Sequence, residues 1–328
     1  MRIGVLGAGA VGGVLAALLD RAGHEVVVAA RGEQLEAIAS GGLRLGGHWG
    51  SHTAHVSAAP LLPSGLDLAI VTTKAQDAAA AIAANRIALD GIPVLVVQNG
   101  LSGVSVATDL LPDSPVAGGL ALFAASYLAP GEVSVTSPAP TYLGGPAADR
   151  FAELLDGVLP ISVVENFEGA QWTKLFVNQL NALPAITGLT VQQCIADRRL
   201  RLILTASMRE LVRVAKAAGV RFEPLQGLTD ARLSVFARLP LWVGQLLPLR
   251  FGRYLGSTPN PGSTLQSIRR GQPTEIDYLN GAVAAAGSAP INARLVELVH
   301  EVERTGKFLT PERLSALSSY RQTRASGD

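Results

Sequence analysis

In the first half of the chain, short and nearly continuous apolar runs alternate with stretches whose apolar positions recur every three to four residues. The runs at 3–6, 25–30, 67–73 and 93–97 have the valine- and isoleucine-rich character of strands buried on both faces. Between them, 11–22, 76–84 and 102–110 carry the helical period. This alternation predicts βαβ units and a doubly wound parallel sheet. Weaker strand patterns near 132–136, 141–143 and 161–164 are expected to extend the sheet, antiparallel at one edge, and 43–56 to form a hairpin or an irregular excursion. Beyond about residue 168 the strand signal ends, and helical periodicity at 170–186, 197–218, 279–286 and 293–305 takes over. The pattern predicts an α/β domain over 1–168 and a mostly α-helical one over 169–328, with 324–328 frayed.

Composition narrows the function classes. The chain has 328 residues, 48% of them hydrophobic and 16% charged, enough for two packed domains. A formal net charge of +1 provides no global field for nucleic acid or an anionic membrane, so neither is expected as a partner. Cys194 is the only cysteine, which excludes an intrachain disulfide and suits a reducing cytoplasm, the expected location. The glycines among residues 7–13 argue against a signal peptide at the N-terminus. The most apolar late segment, 239–251, is interrupted by Pro240, Pro248 and Arg250 and is not expected to span a membrane. His48, His52 and His55 lie close together, but no carboxylate or cysteine stands nearby in sequence to complete a metal site, and none is expected.

The sharpest local motif follows the first strand. Gly7, Gly9 and Gly12 form G-x-G-x-x-G between a strand and a helix, the context a dinucleotide requires. The backbone of Gly7, Ala8, Gly9, Ala10, Val11 and Gly12 is expected to cradle a pyrophosphate at the helix N-terminus. The first domain is therefore of Rossmann type. The second strand ends in Arg31, where an NAD-binding domain usually carries an acidic residue for the ribose hydroxyls. A carboxylate would repel a 2′-phosphate, whereas arginine can grip it with two charge-assisted hydrogen bonds. Lys74, after the strand at 67–73, can add a second cation, and the pair points to NADP (NADPH).

Three further fragments are unusually polar for their surroundings. Gln98-Asn99-Gly100 ends an apolar strand at the sheet edge where ligands sit in such folds; a simple turn is the alternative. Lys174, Asn178 and Asn181 recur at i, i+4 and i+7 on one helical face. Leu175, Phe176, Val177 and Leu180 fill much of the remaining surface, so the helix is expected to be largely buried, and a lysine there needs partners or a task. A solvated polar stripe is the alternative. The third fragment joins Ser263 to Thr274-Glu275-Ile276-Asp277-Tyr278, where capping is the reading for Asp277.

Taken in order, the glycine motif, Arg31, Val71-Thr72-Thr73-Lys74, Gln98-Asn99-Gly100, Lys174-Leu175-Phe176-Val177-Asn178 and the Ser263 and Glu275 fragments resemble the ketopantoate reductases (2-dehydropantoate 2-reductases) from residue 1 to about 303. The resemblance implies an NADPH-dependent reduction of 2-dehydropantoate to pantoate, within pantothenate and coenzyme A biosynthesis. It implies Lys174 as general acid, with Glu275 as its partner near the substrate. Asn178, Asn181 and Ser263 would hold the substrate's hydroxyl, carbonyl and carboxylate groups, and Asn99 would bridge cofactor and substrate. The chemistry agrees, since hydride addition to a carbonyl builds negative charge on oxygen that a lysine can stabilise and protonate.

The chain departs from that pattern in places. Asn181 stands seven rather than eight residues after Lys174 and is followed by Ala182, and Pro184 stands where related sequences often carry another asparagine. The stretch 225–261, with Phe236, Trp242 and Phe251, is longer and more apolar than in compact members. It is read as extra helical packing, a homodimer interface or a remodelled pocket rim for a different 2-oxo acid. A non-catalytic NADP-binding sensor is the remaining alternative, and it would not need Lys174, Asn178 and Glu275.

Overall fold

The computed structural model describes residues 1–254 and 259–314. The chain divides into two units, Met1–Gln171 and Trp172 onward. In chain order the first holds β1 (Arg2–Leu6), α1 (Ala10–Arg21), β2 (Glu25–Ala29), α2 (Gly32–Gly41), β3 (Leu43–Gly47), β4 (His52–Ala54), β5 (Ser57–Ala59), β6 (Leu68–Val71), α3 (Ala75–Ala84), α4 (Arg86–Leu89), β7 (Val94–Val97), α5 (Gly103–Leu110), β8 (Val116–Ala121), β9 (Ala124–Ala129), β10 (Glu132–Ser137), β11 (Thr141–Gly144), α6 (Ala148–Leu155) and β12 (Ile161–Val163).

Eight strands form one sheet in the order β12-β11-β8-β7-β6-β1-β2-β5. The pairings are parallel except β11 against β8, the antiparallel edge that the pattern predicts. β1 lies between β2 and β6, with Ile3 opposite both Val26 and Leu68. Successive residues feed opposite faces. Ile3, Val5, Val26 and Val28 join the core under α1, while Leu6, Val27 and Ala29 join the core under α3 and α5. Burial on both faces explains why these strands read as continuous apolar runs.

The 43–56 stretch does form a hairpin, β3 against β4, and the structure adds a use for it. β4, β3, β10 and β9 make a second sheet whose Leu43, Leu45, Val133 and Val135 pack in the same core as Val14, Leu15 and Leu18 of α1. α1 is therefore covered on both sides, and its buried glycine- and alanine-rich sequence follows from that. His52 of β4 meets Asp20 of α1 at 2.8 Å, a carboxylate that only the fold brings near. Among the described residues no group of three or more histidine, cysteine or carboxylate side chains could hold a metal.

α7 (Phe167–Asn178) carries the chain from the first unit into the second. It is followed by a 3-10 turn at Gln179–Asn181 and then by α8 (Ala182–Thr187), α9 (Val191–Ala196), α10 (Arg198–Ala217), α11 (Asp230–Arg238), α12 (Leu241–Gly244), α13 (Leu246–Tyr254) and α14 (Gly262–Arg269). A second 3-10 turn, Ile276–Tyr278, precedes α15 (Asn280–Ala286) and α16 (Pro290–Thr305). The predicted single helix over 170–186 is broken because Pro184 has no N–H to return to the carbonyl of Leu180, and its ring crowds that carbonyl. The twenty residues of α10 form the unit's central helix, with Leu200, Ile203, Leu204, Met208 and Leu211 buried along it. Thr190 and Gln193 form a capping box on α9, and Asp197 caps α10.

The 225–261 stretch supplies α11 to α13; its residues 255–258, and the predicted frayed tail 324–328, lie outside the described residues. Phe236 and Phe251 pack edge-on against Phe176 of α7, at centroid distances of 5.5 and 6.4 Å, so part of the insertion is core. Trp242 is exposed. Among the described residues no helix is long and apolar enough to cross a membrane.

Candidate active site

β1 ends in a turn that only its glycines allow. Gly7 sits at φ +106°, and its N–H donates to the carbonyl of Ala29 at 3.2 Å. Gly9 occupies the N-cap of α1 in extended backbone, with no side chain capping the helix. The first N–H groups of an α-helix have no intrahelical partner, and the axial dipole places positive charge among them. A Cβ built on Gly9 meets nothing within 4 Å, so the backbone there is open to close approach. A Cβ on Gly12 would overlap the carbonyl oxygen of Gly7 and the hydroxyl oxygen of Thr72. An uncapped helix end with bare glycine in front of it fits a dinucleotide pyrophosphate.

β2 and β6 flank β1 in parallel, so their carboxyl ends share its edge of the sheet. Exposed Arg31 at the N-cap of α2 and half-buried Lys74 at the N-cap of α3 stand on either side of the glycine loop. Neighbouring strands are about 5 Å apart, so the two cations straddle roughly 10 Å, within the reach of long side chains toward one phosphate group. Asn99 follows β7 at the same edge and lines a small hollow with Gln98, Gly100, Gly119, Phe167 and Gln171.

Three side chains that sequence reasoning did not assign hold this edge together. The Thr72 hydroxyl donates to the Gly7 carbonyl at 2.7 Å. Gln98 Nε2 donates to the Thr73 carbonyl at 2.7 Å, tying the end of β7 to the turn that carries Lys74. Gln34 of α2 donates to the Ala8 carbonyl at 2.7 Å and accepts the Gly131 N–H at 2.7 Å, clamping the glycine loop to the β9–β10 turn. Gln98 lay inside a fragment already marked as polar, and Thr72 inside the Val71-Thr72-Thr73-Lys74 motif of the resemblance. Gln34 offered no signal, because its partners are backbone atoms 26 and 97 residues away.

In the second unit Lys174 and Asn178 stand one turn apart on α7, both half-buried. Removal from water pushes the Lys174 ammonium down to about 8, against the opposing pull of the Glu275 carboxylate. Asn181 comes after the 3-10 step, and both ends of its amide are engaged. Nδ2 donates to the Asn178 carbonyl at 3.1 Å, and Oδ1 accepts the Ser263 N–H at 3.0 Å. Asn181 thus joins the Lys174 helix to the start of α14, where Ser263 is exposed. Glu275 leads the 3-10 turn, its carbonyl accepting the Tyr278 N–H at 2.9 Å. On either side of it, Glu303 accepts the Thr274 N–H at 2.8 Å, and His300 pairs with Asp277 at 3.0 Å and Glu303 at 2.6 Å. Asp277 therefore answers a histidine of α16, and neither the 3-10 turn nor α15 has the side-chain cap expected of it from the sequence. A lysine that titrates near neutrality beside a carboxylate, with amide and hydroxyl groups tied to its helix, can donate a proton to a bound oxyanion.

The family model described as ketopantoate reductase PanE/ApbA matches residues 3–147, and the model of its C-terminal part matches residues 166–303. The chain is 26% identical over 315 residues to the 2-dehydropantoate 2-reductase of Archaeoglobus fulgidus, covering 92% of this chain and 98% of that protein. The crystal structure of a PanE/ApbA family ketopantoate reductase from Ralstonia eutropha JMP134 superimposes with a TM-score of 0.80 at 29% identity, covering 93% of this chain and 99% of that one. A D-mandelate dehydrogenase with NADH and anilino(oxo)acetate shares the fold, with a TM-score of 0.76 at 20% identity and coverage of 93% and 99%.

Proposed function

The chain belongs to the ketopantoate reductase PanE/ApbA family, and on that premise we propose that it reduces the C2 ketone of 2-dehydropantoate to the alcohol of pantoate, with NADPH as reductant and Lys174 as general acid. The observation that carries this reading is the half-buried Lys174, held near pH 8 with Glu275 as its charged neighbour. An ordinary lysine would hold its proton too tightly; one near neutrality can give it up and regain it from water.

Bound NADPH supplies the hydride. The residues that would hold it are Gly7, Ala8, Gly9, Ala10, Val11 and Gly12 at the pyrophosphate, Arg31 and Lys74 at the 2′-phosphate, and Asn99 at the nicotinamide end. As the carbonyl carbon becomes tetrahedral, Lys174 neutralises the growing charge on its oxygen and then protonates it. Glu275 keeps Lys174 charged until that moment. Asn178 and Ser263 hydrogen-bond the substrate's hydroxyl and carboxylate. Asn181 holds Ser263 in place through its N–H, with one amide N–H of its own to offer the substrate.

Turnover of a panel of 2-oxo acids with NADPH and NADH tests the reading. 2-Dehydropantoate with NADPH is expected to have the highest kcat/KM; a higher value with another 2-oxo acid would displace the substrate assignment, and no turnover with any would displace the enzyme. Arg31→Ala is expected to raise KM for NADPH about 10- to 100-fold, as the loss of charge-assisted hydrogen bonds implies, and to leave KM for NADH nearly unchanged. An unchanged ratio of the two would remove Arg31 from the 2′-phosphate.

A further inference from the structure

Five residues past Lys174 the chain buries Gln179, and five past Glu275 it buries Asn280. Their amides meet, with Asn280 Nδ2 donating to Gln179 Oε1 at 2.8 Å. Five residues turn a helix through roughly 140° from the starting side chain, so Gln179 faces away from the Lys174 side and into the interior of its own unit. There Ser207 of α10 donates to the same Oε1 at 2.5 Å, and Asn280 Nδ2 also donates to Asn292 Oδ1 of α16 at 2.9 Å. Asn292 Nδ2 donates to Glu210 at 2.9 Å, and Glu210 accepts the N–H groups of Ile291 and Asn292 at the start of α16, each at 3.0 Å. All five side chains are at most 2% exposed.

A buried polar group without a partner costs on the order of 1–3 kcal/mol, and a connected network costs far less while holding its members in one arrangement. Here one atom, Asn280 Oδ1, is left without a partner. This network is therefore an expensive way to fill a core that aliphatic side chains could fill. What it provides is register. Gln179 belongs to the turn that ends the Lys174 helix, and Asn280 opens the helix that follows the Glu275 turn.

We propose that Gln179 and Asn280 are positioning residues for the reaction, their amide pair tying the helix that carries Lys174 to the turn that carries Glu275 and so setting the approach of those two groups. The inference rests on the role proposed above for Lys174. Two influences act on the Lys174 ammonium, loss of water and the charge of Glu275, and the second depends on that approach. The outer side of the Glu275 turn is held separately by Glu303 and His300, so loosening the buried tie shifts the turn without releasing it.

Competitive acylation of amines with acetic anhydride, read peptide by peptide across pH, reports the titration midpoint of Lys174 in the protein without any substrate. In Gln179→Met the midpoint is expected to fall by about half a pH unit or more as Glu275 draws back. Turnover is expected to fall about tenfold, with NADPH affinity unchanged. A purely structural role would lower Tm and leave the midpoint where it was. Should one orphaned amide prevent folding, Gln179→Met/Asn280→Leu replaces both partners with apolar groups, which is close to neutral for stability, and it must show the same fall. A wild-type midpoint in either folded variant overturns the proposal. Wild-type turnover in Lys174→Ala would instead overturn the reading of Lys174 as the acid, an outcome the midpoint measurement does not share.

Discussion

Replacing Lys174 with alanine is expected to lower turnover by about two to four orders of magnitude, the usual worth of a positioned general acid. NADPH affinity, read by fluorescence titration, is expected to stay as it was, because the groups assigned to the cofactor lie on the strand ends of the first unit. Lys174→Arg should not rescue the activity, since a guanidinium holds its proton too tightly to give it up. The same assignment sets a pH dependence. The acid works only when protonated, so kcat for reduction should fall as pH rises through about 8. A flat profile from pH 7 to 9 would remove Lys174 from the proton transfer.

Stability runs in the opposite direction. The folded chain holds the Lys174 proton less tightly than the unfolded chain does, at about 8 against 10.5. Between those values the unfolded state binds more protons, so this group makes the fold more stable as pH rises through the window and imposes its full cost below pH 8. Lys174→Met is accordingly expected to be inactive and more stable at pH 7, by up to roughly 3 kcal/mol. Urea titration of the two proteins at pH 7 and at pH 10 checks it; the gap should narrow at the higher pH.

The second large effect separates two glycines three residues apart. Gly12→Ala places a methyl group onto the backbone oxygen of Gly7, which cannot swing aside as a side chain could, so α1 must move away from the β1 turn. Overpacking of this kind costs about 1–3 kcal/mol and pulls the helix N-terminus off the pyrophosphate, so both stability and NADPH binding should drop. Gly9→Ala meets no protein atom. It should leave urea stability within about 0.5 kcal/mol of wild type while weakening NADPH at least about tenfold, because its methyl enters the space assigned to the phosphates. Full NADPH affinity in Gly9→Ala would show that the cofactor does not lie over this turn.

The two halves of the candidate site differed in how far they could be read from the chain. The roles proposed for Gly7, Gly9, Gly12 and Arg31 rest on backbone geometry and charge at fixed offsets from a strand, and such offsets are visible without a fold. Lys174 and Asn178 were legible for the same reason, as a helix repeats every 3.6 residues. Asn181 was placed on their face by continuing that period, but Pro184 forces a 3-10 step, and its amide turns to Ser263 and Asn178. For the 225–261 stretch, only the fold showed that Phe236 and Phe251 pack on Phe176, which makes that part of it core.

Periodic burial and local backbone demands marked, from sequence alone, β1, β2, β6 and β7, the helices α1, α3 and α5, and the glycine turn after β1, but gave no sign of α2, β8, β9 or α6, and the candidate acid came from the family resemblance. The tertiary structure decided what depends on residues far apart in the chain. It brought Gln34 to the Ala8 carbonyl, Asp20 to His52, Glu275 to act on Lys174, and Gln179 and Asn280 into one buried pair. The physical reason is that a hydrogen bond or an ion pair leaves no periodic trace in the sequence when its partners lie on different elements.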